Sequence, residues 1–438
     1  MGISNNKPAK NLHLKEIRAP GYELSKFVVV IVLSACAAVV SGCAAFAVPE
    51  EPPRPTPEVP VWSVPEVDDH LEFLNDPSTG GRGTGTQGYA RASAYVAARL
   101  HDFRLQPALD DFRVVYPTSI NHPLSASMKM VGPIDSVVFL PGIDFLPDGR
   151  SDSGRVTVTR LVKPEDVPAA TPPFAVVTSD APTSSLQAWR NAGASLVVRV
   201  GDLVPQLEPA PVSGLLVVQL THVAAAMLLP ERRISVRVTT DFQLQAGALN
   251  ILGYMAGKHP VESRKLVVVC ADMDGPGNFA GVAVADFRNF GRSTAALLEV
   301  ARSVSYVSHR WQLPSRSVMF AIWSGSRLGH QGLRHFLENP TWSLDSIASV
   351  IYIGLEDEQA VRDILSPYGI SLHVIPPPDQ PLFSQPFVLE PDPAIQRLAR
   401  STPAVPEPDE SQIMRLAVEQ SIALADSAYT LMMSLSNR

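Results

Sequence analysis

The chain is 438 residues long, 45% hydrophobic and 18% charged, with a formal net charge of −7. That is ample for a real core and, at about 150 residues per domain, for two or three units. Mild acidity with no Lys/Arg cluster argues against a nucleic-acid partner, and the lone cysteine beyond residue 43, Cys270, excludes an internal disulfide framework.

Residues 1–43 read as an export signal. Lys7, Lys10, Lys15, Arg18 and Lys26 precede FVVVIVLSACAAVVSGCAAFAV, an uncharged run that opens at Phe27. A basic stretch, an apolar stretch and then small residues is the order of a signal peptide. VSGC (40–43) has the form of a bacterial lipobox, which makes Cys43 the expected lipid carrier; LSAC (33–36) offers Cys36 as the alternative. The run also nears the ~20 residues that span a bilayer, so an uncleaved transmembrane anchor stays open. Either arrangement exports the rest of the chain and ties it to membrane lipid at the bacterial cell envelope. Residues 44–67 follow as a linker, because proline at the density of VPEEPPRPTPEVPVWSVPEV (48–67) gives a stiff, extended spacer.

Residues 68–130 open the folded part. A Gly/Thr-rich turn leads into a helix whose packing face is read at Tyr89, Ala92, Tyr95, Val96, Ala98, Arg99 and Leu100. Glycines 80, 81, 83, 85 and 88 have no strand before them and no Gly-Lys-Ser/Thr after them, so they read as a tight turn and not a phosphate loop. Residues 131–235 change to short β-rich runs, SVVFLPG, GRVTVTRLV, PFAVVTSD, ASLVVRVGD and LLVVQLT, separated by Pro/Gly turns and one amphipathic helix, SSLQAWRNAGA. This section is expected to be a small β-rich domain without chemistry. From 236 to 438 strands alternate with helices: KLVVVCAD (265–272), RSVMFAIWSG (316–325) and SVIYIGLED (349–357) against helices at 294–307, 328–339 and 409–435. Continuous apolar strands with intervening helices predict an α/β fold with a mostly parallel sheet covered on both faces.

These blocks, in this order, resemble the co-catalytic zinc aminopeptidases and carboxypeptidases of metallopeptidase family twenty-eight. GGRGTGTQGYARASAYVAARLHDFRLQPA is similar to that family's N-terminal helix behind a Gly-Arg turn. NILGYMAGKHPVESRKLVVVCADMD (250–274) is similar to its Asn-φ-φ-Gly strand and its first ligand strand. STAALLEVARSV (293–304) and RSVMFAIWSGSRLGHQGLRHFLENP (316–340) resemble the helix and the strand–helix unit that carry further ligands. AWRNAGASLVVRVGD with VVQLTHVAAAMLL is similar to the protease-associated domain often inserted there. The resemblance implies the fold, a cleft, two zinc ions and a glutamate that deprotonates their shared water.

It also implies site positions, and these read differently here. The first histidine ligand falls on Asp272, while its orienting carboxylate Asp274 is kept. The bridging aspartate falls on Asn289 and the general-base glutamate on Ser326. The next glutamate falls on Arg327, the following strand's aspartate on Gly354, and the closing histidine on Gln380. Zinc wants imidazole, thiolate or carboxylate at about four places. Asparagine, glycine and glutamine supply no charge, and arginine brings a permanent cation. The expectation is therefore no cofactor, and a degenerate cleft of Asp272, Asp274, Asn289, Ser326 and Arg327, with Arg327 replacing metal charge against the two aspartates. Asp274, Asp286, Glu356 and Asp357 could form an oxygen-rich cation site, though acidic strand ends also serve as helix caps.

Other candidates are plainer. His330 and His335 stand five apart and miss same-face helical spacing, His373 lies alone in a strand-like SLHVI, and Cys270 reads as a small buried hydrophobe. WSGS (323–326) lacks the Gly-x-Ser-x-Gly frame of a nucleophile elbow. The reading is an anchored pseudo-peptidase acting in binding or scaffolding, with a peptide, a sugar or a partner protein in its cleft; an active zinc exopeptidase with a non-standard site is the alternative.

Overall fold

The computed structural model describes residues 62–229, 232–283, 291–310, 314–378 and 410–437. The export signal with Cys36 and Cys43, and positions Asp286, Asn289 and Gln380, lie outside them. Helix α1 (Val64–Asn75) starts inside the last residues of the proline-rich stretch. Ser63 caps it by accepting from Glu66 N at 3.4 Å, and Pro65 suits its first turn. The Ser63 N–H in turn donates to Glu299 Oε1 at 2.6 Å, which fixes where the helix enters the fold. α2 (Gln87–Asp102) is capped by Thr86, whose Oγ1 accepts from Tyr89 N at 3.2 Å.

The chain then runs through β1 (Arg113–Val131), β2 (Ser136–Phe139), β3 (Phe145–Pro147), β4 (Gly154–Val158), β5 (Leu161–Val162), β6 (Phe174–Thr178), α3 (Thr183–Asn191), β7 (Ala194–Val200), β8 (Leu216–Leu220) and β9 (Arg233–Met255). It continues as β10 (Leu266–Asp272), α4 (Arg292–Arg310), β11 (Ser317–Trp323), α5 (Gln331–Glu338), β12 (Ile347–Ile353), α6 (Glu358–Leu365), β13 (Leu372–Ile375) and α7 (Glu410–Ser436).

Within the described residues the larger sheet has nine strands, with the path β13-β12-β10-β11-β9-β1-β2. The first four of these run parallel; β9 joins β11 antiparallel and pairs with β1 in a long antiparallel ladder. β10 shows why the parallel strands read as unbroken apolar runs. Val267, Val269 and Ala271 pack on one face with Val96 and Leu100 of α2, Val300 and Val304 of α4, and Leu424 and Met432 of α7. Val268 and Cys270 point the other way, to Leu333 and Phe336 of α5 and to Val361 and Ile364 of α6. Both faces are covered, so both halves of the alternation must be apolar. This is the α/β class, with a central mostly parallel sheet flanked by helices.

The helix expected from 328 begins only at Gln331. Gly325, Gly329 and His330 have φ of 69°, 78° and 58°, so the chain makes a tight turn with a single 3₁₀ stretch, Ser326–Leu328, before α5. The segment between β1 and β9 forms a second sheet, β3-β8-β7-β6-β5, in which β5 to β8 are parallel and β3 is antiparallel. One face carries Val198, Val218 and Leu220, packed on Met128, Met130, Val236 and Val238 of the long ladder; the other carries Val176, Val197 and Val217 against Leu186 of α3. Among the described residues, no helix is long and apolar enough to cross a membrane.

Candidate functional site

Three adjacent parallel strands, β12, β10 and β11, end at one edge of the sheet, where α/β folds place their binding groups. Asp272 is the last residue of β10 and Asp274 follows it. Ser326 and Arg327 lie in the turn after β11, and Gly354 follows β12. The structure thus brings the described members of the expected cleft to one place.

Asp274 is buried and holds the turn after β11. Its Oδ1 accepts from Ser326 Oγ at 2.7 Å and from Ser326 N at 3.3 Å, and its Oδ2 accepts from Thr84 Oγ1 at 3.1 Å. Thr84 Oγ1 accepts in its turn from Gly325 N at 3.0 Å. Further partners brace the same turn: Tyr116 lies within hydrogen-bonding distance of Ser324 Oγ at 2.9 Å, and Asn250 donates to Gly332 O at 2.8 Å and accepts from Ser324 N at 3.3 Å. Tyr116 also stacks on His335, with ring centroids 4.9 Å apart. Thr84 and Tyr116 come from distant parts of the chain, which is why the sequence alone does not point to them, whereas Asn250 opens the Asn-φ-φ-Gly segment.

The turn before α2 is clamped onto the strand end. Arg82, almost fully buried, donates through Nε to Met273 O at 3.0 Å, and Gly277 N donates to Gly81 O at 3.1 Å. Gly83 and Gly277 meet backbone to backbone: a Cβ on Gly277 would lie 2.9 Å from Gly83 Cα. The glycine-rich stretch is therefore the structural turn expected for it, built to let two loops touch.

Asp272 is half-buried and accepts from Tyr352 Oη at 2.5 Å. Burial, and next the carboxylate of Asp274, push Asp272 well above the usual carboxylate range; the Tyr352 hydrogen bond and the Arg327 cation oppose that rise. Burial likewise pushes the Tyr352 hydroxyl up, so it stays a donor. Tyr352 pairs with Cys270 in the parallel register, and Asp272 lies two residues further along the same face. A tyrosine one strand over was a usable signal, but only once the strand order is known.

His330 is buried, and burial lowers its pKa against the pull of Asp274 and Asp357. The Ser326 proton goes to a carboxylate and not to an imidazole, so the turn is no serine-nucleophile arrangement. Cys270 is fully buried, as expected, and burial drives its thiol pKa up. His373 is a half-buried residue of β13.

Among the described residues, the donor set does not fit zinc. Both carboxylates are occupied by hydroxyl donors, Ser326 directs its proton at Asp274, and Arg327 is a cation. Gly354 has no side chain and no room for one: its φ is 68°, and a Cβ there would lie 2.0 Å from Ser293 Oγ. Asp357, a candidate for an alternative cation site, accepts from Ala360 N at 3.0 Å as the cap of α6. Among the described residues, no group of three His, Cys, Asp or Glu side chains is arranged to hold a metal ion.

No family model matches the sequence, and no curated protein matches it. Solved structures do. An aminopeptidase from Aneurinibacillus sp. strain AM-1 superposes with a TM-score of 0.55 at 12% identity, over 85% of this chain and 94% of that one. A zinc aminopeptidase from Bacillus subtilis gives 0.55 at 14%, over 86% and 96%. A peptidase M28 precursor from Shewanella amazonensis SB2B gives 0.50 at 13%, over 86% and 96%. At such identities the likeness establishes an aminopeptidase-like fold.

Proposed function

We propose that the protein is a catalytically silent, envelope-anchored binding module on an aminopeptidase-like fold. The observation that carries this reading is the Asp274 carboxylate, saturated by Ser326 and Thr84 where a peptidase of the resembled family would orient a zinc ligand. Hydrogen bonds among its own side chains hold the cleft in shape, a task that two dications perform in the resembled family. Such a cleft keeps the architecture of a substrate site and loses the Lewis acid and the base.

The ligand is a peptide or protein segment. A cavity of about 360 Å³ opens beside the Ser326–Leu328 turn, lined by Pro117, Thr118, Leu244, Leu328 and Gln331. Walls that mix proline and leucine with hydroxyl and amide groups suit an extended peptide. Lipid on Cys43, or on Cys36, would hold the module at the membrane, and the segment 131–235, read as a protease-associated-like insert, would widen the surface offered to a partner.

Metal analysis of the purified protein, together with hydrolysis of aminoacyl-nitroanilides, tests the reading. The expected result is no stoichiometric metal and no turnover. Bound zinc with turnover that EDTA abolishes would overturn it.

A further inference from the structure

The long ladder turns one face to the second sheet and the other to solvent. Met128 and Met130 of β1, Val236 and Val238 of β9 and Val158 of β4 pack inward, in one core with that sheet. Alternation along the strands then puts Lys129, Arg155, Arg233 and Arg237 on the outer face, and all four are exposed. The sequence holds no run of basic residues, because these four come from three separate strands.

The register sets them side by side. Arg155 stands directly opposite Arg237. Ser235, between Arg233 and Arg237 on β9, pairs with Lys129 on one flank and with Thr157 on the other. Like charges directly opposite each other in a sheet cost stability. No carboxylate relieves that cost: Ser127, Val131 and Val138 fill the outward positions beside them, and the ion pairs among the described residues leave all four cations out. In a chain whose net charge is −7, composition does not account for such a face.

The end of the same ladder is apolar. The turn from β1 to β2 carries Ile134, 99% exposed, and Val138 of β2, opposite Lys129, is 65% exposed. Arg232 ties a third apolar residue to this turn. Its Nη1 donates to Asp135 Oδ2 at 2.9 Å and its N–H to the carbonyl of Leu229 at 3.3 Å, and Leu229 is 43% exposed. Asp135, the acid of the turn, is thereby matched by its own cation.

We propose that this end of the ladder docks on an anionic lipid bilayer. Lys129, Arg155, Arg233 and Arg237 face the headgroup phosphates, while Ile134, Val138 and Leu229 enter the boundary between headgroups and acyl chains. Positive charge beside protruding apolar side chains is the combination that holds a protein in that interface. A nucleic acid or another soluble polyanion would match the arginines and leave Ile134 in water. The surface shares no residue with the cleft of the proposed function, so either can fail without the other.

Hydrogen exchange of the purified full-length chain tests this, on vesicles of phosphatidylcholine alone and of phosphatidylcholine with about 30% phosphatidylglycerol. Amides of residues 134–138 should exchange at least about tenfold more slowly on the anionic vesicles and be unchanged on the neutral ones. The protection should vanish at about 1 M salt, where charges are screened beyond about 3 Å. A cation at an anionic surface is worth about fivefold in binding, so Arg155→Gln, Arg233→Gln and Arg237→Gln together should weaken docking about a hundredfold and abolish the protection. The amino-terminal run is unchanged in that variant, so the loss belongs to the ladder. The variant also removes a repulsive pair, so its thermal midpoint should not fall, which separates lost docking from lost structure. Ile134→Ser should reduce the protection and keep its dependence on salt. Equal protection on both vesicles, protection that survives the triple variant, or a DNA duplex that protects these amides as strongly as the anionic vesicles would each overturn the proposal.

Discussion

Asp274 and Asp272 stand two residues apart and are held in opposite ways. Asp274 receives three hydrogen bonds, and Ser326 Oγ at 2.7 Å is the shortest of them. Ser326→Ala removes that donor from a buried carboxylate and should lower unfolding stability by about 1–3 kcal/mol, measured by denaturant titration. Asp272 works against the fold at neutral pH, because its environment raises its pKa. A raised carboxyl binds its proton more tightly folded than unfolded. The stability it contributes is present at low pH and is lost as pH rises from the ordinary carboxylate range through the folded value. Asp272→Asn keeps an acceptor for Tyr352 and cannot ionise, so it should raise the thermal midpoint at pH 7 and leave it nearly unchanged near pH 4. A fall at pH 7 would contradict the assignment. The positions of Asp272, Asp274, Ser326 and Arg327 were legible in the sequence, because each lies at the end of an apolar run that can be aligned by eye. Their partners were not. Thr84 sits 190 residues from Asp274, and nothing local in its glycine-rich stretch marks it as a carboxylate donor.

Between elements the same logic fixes which side chains can meet. Gly354, the residue after β12, lies against the first turn of α4, where Ser293 leaves no space for a Cβ. Gly354→Ala should therefore cost about 2–4 kcal/mol, from the left-handed backbone and the contact together. Adding Ser293→Ala should recover only the part due to the hydroxyl, and strictly additive losses would exclude the contact as the cause. α1 and α2 meet through His70, fully buried, with its Nδ1 2.7 Å from Tyr95 Oη. Burial first, and then Arg99 and Arg302, lower the His70 pKa to about 4 from an ordinary 6.5. Below pH 6.5 the unfolded chain takes up a proton that the folded chain refuses until about pH 4. Stability should thus fall across that window by about 3 kcal/mol. His70→Gln should flatten the fall in pH-dependent denaturation. Three of the four parallel strands, β10, β11 and β12, were readable because each is apolar on both faces. β1 and most of β9, all but the end from Asn250, were missed because they are half exposed along their length and cross two register shifts, so their alternation never holds long enough to stand out.

Across the whole molecule, the question is whether any part of the stability belongs to a metal. In a co-catalytic site the ions tie together the ends of several strands, and a ligand that binds only the folded state stabilises it by mass action. Here the strand ends are tied by Asp274 to Ser326 and Thr84, by Asp272 to Tyr352, and by Arg82 to the loop before Asp274. These bonds join the turn before α2, the turn after β11 and the ends of β10 and β12, so neighbouring strand ends are already connected without an ion. Zinc present at about a hundredfold excess over its Kd would add about 2.7 kcal/mol to a protein that binds it. The expected outcome is that the thermal midpoint is the same in EDTA and in such zinc concentrations. The double variant Ser326→Ala, Asp274→Asn should lose stability equally in both media. A midpoint that climbs with zinc and returns with EDTA would mean that the ions and not the hydroxyls hold the cleft together.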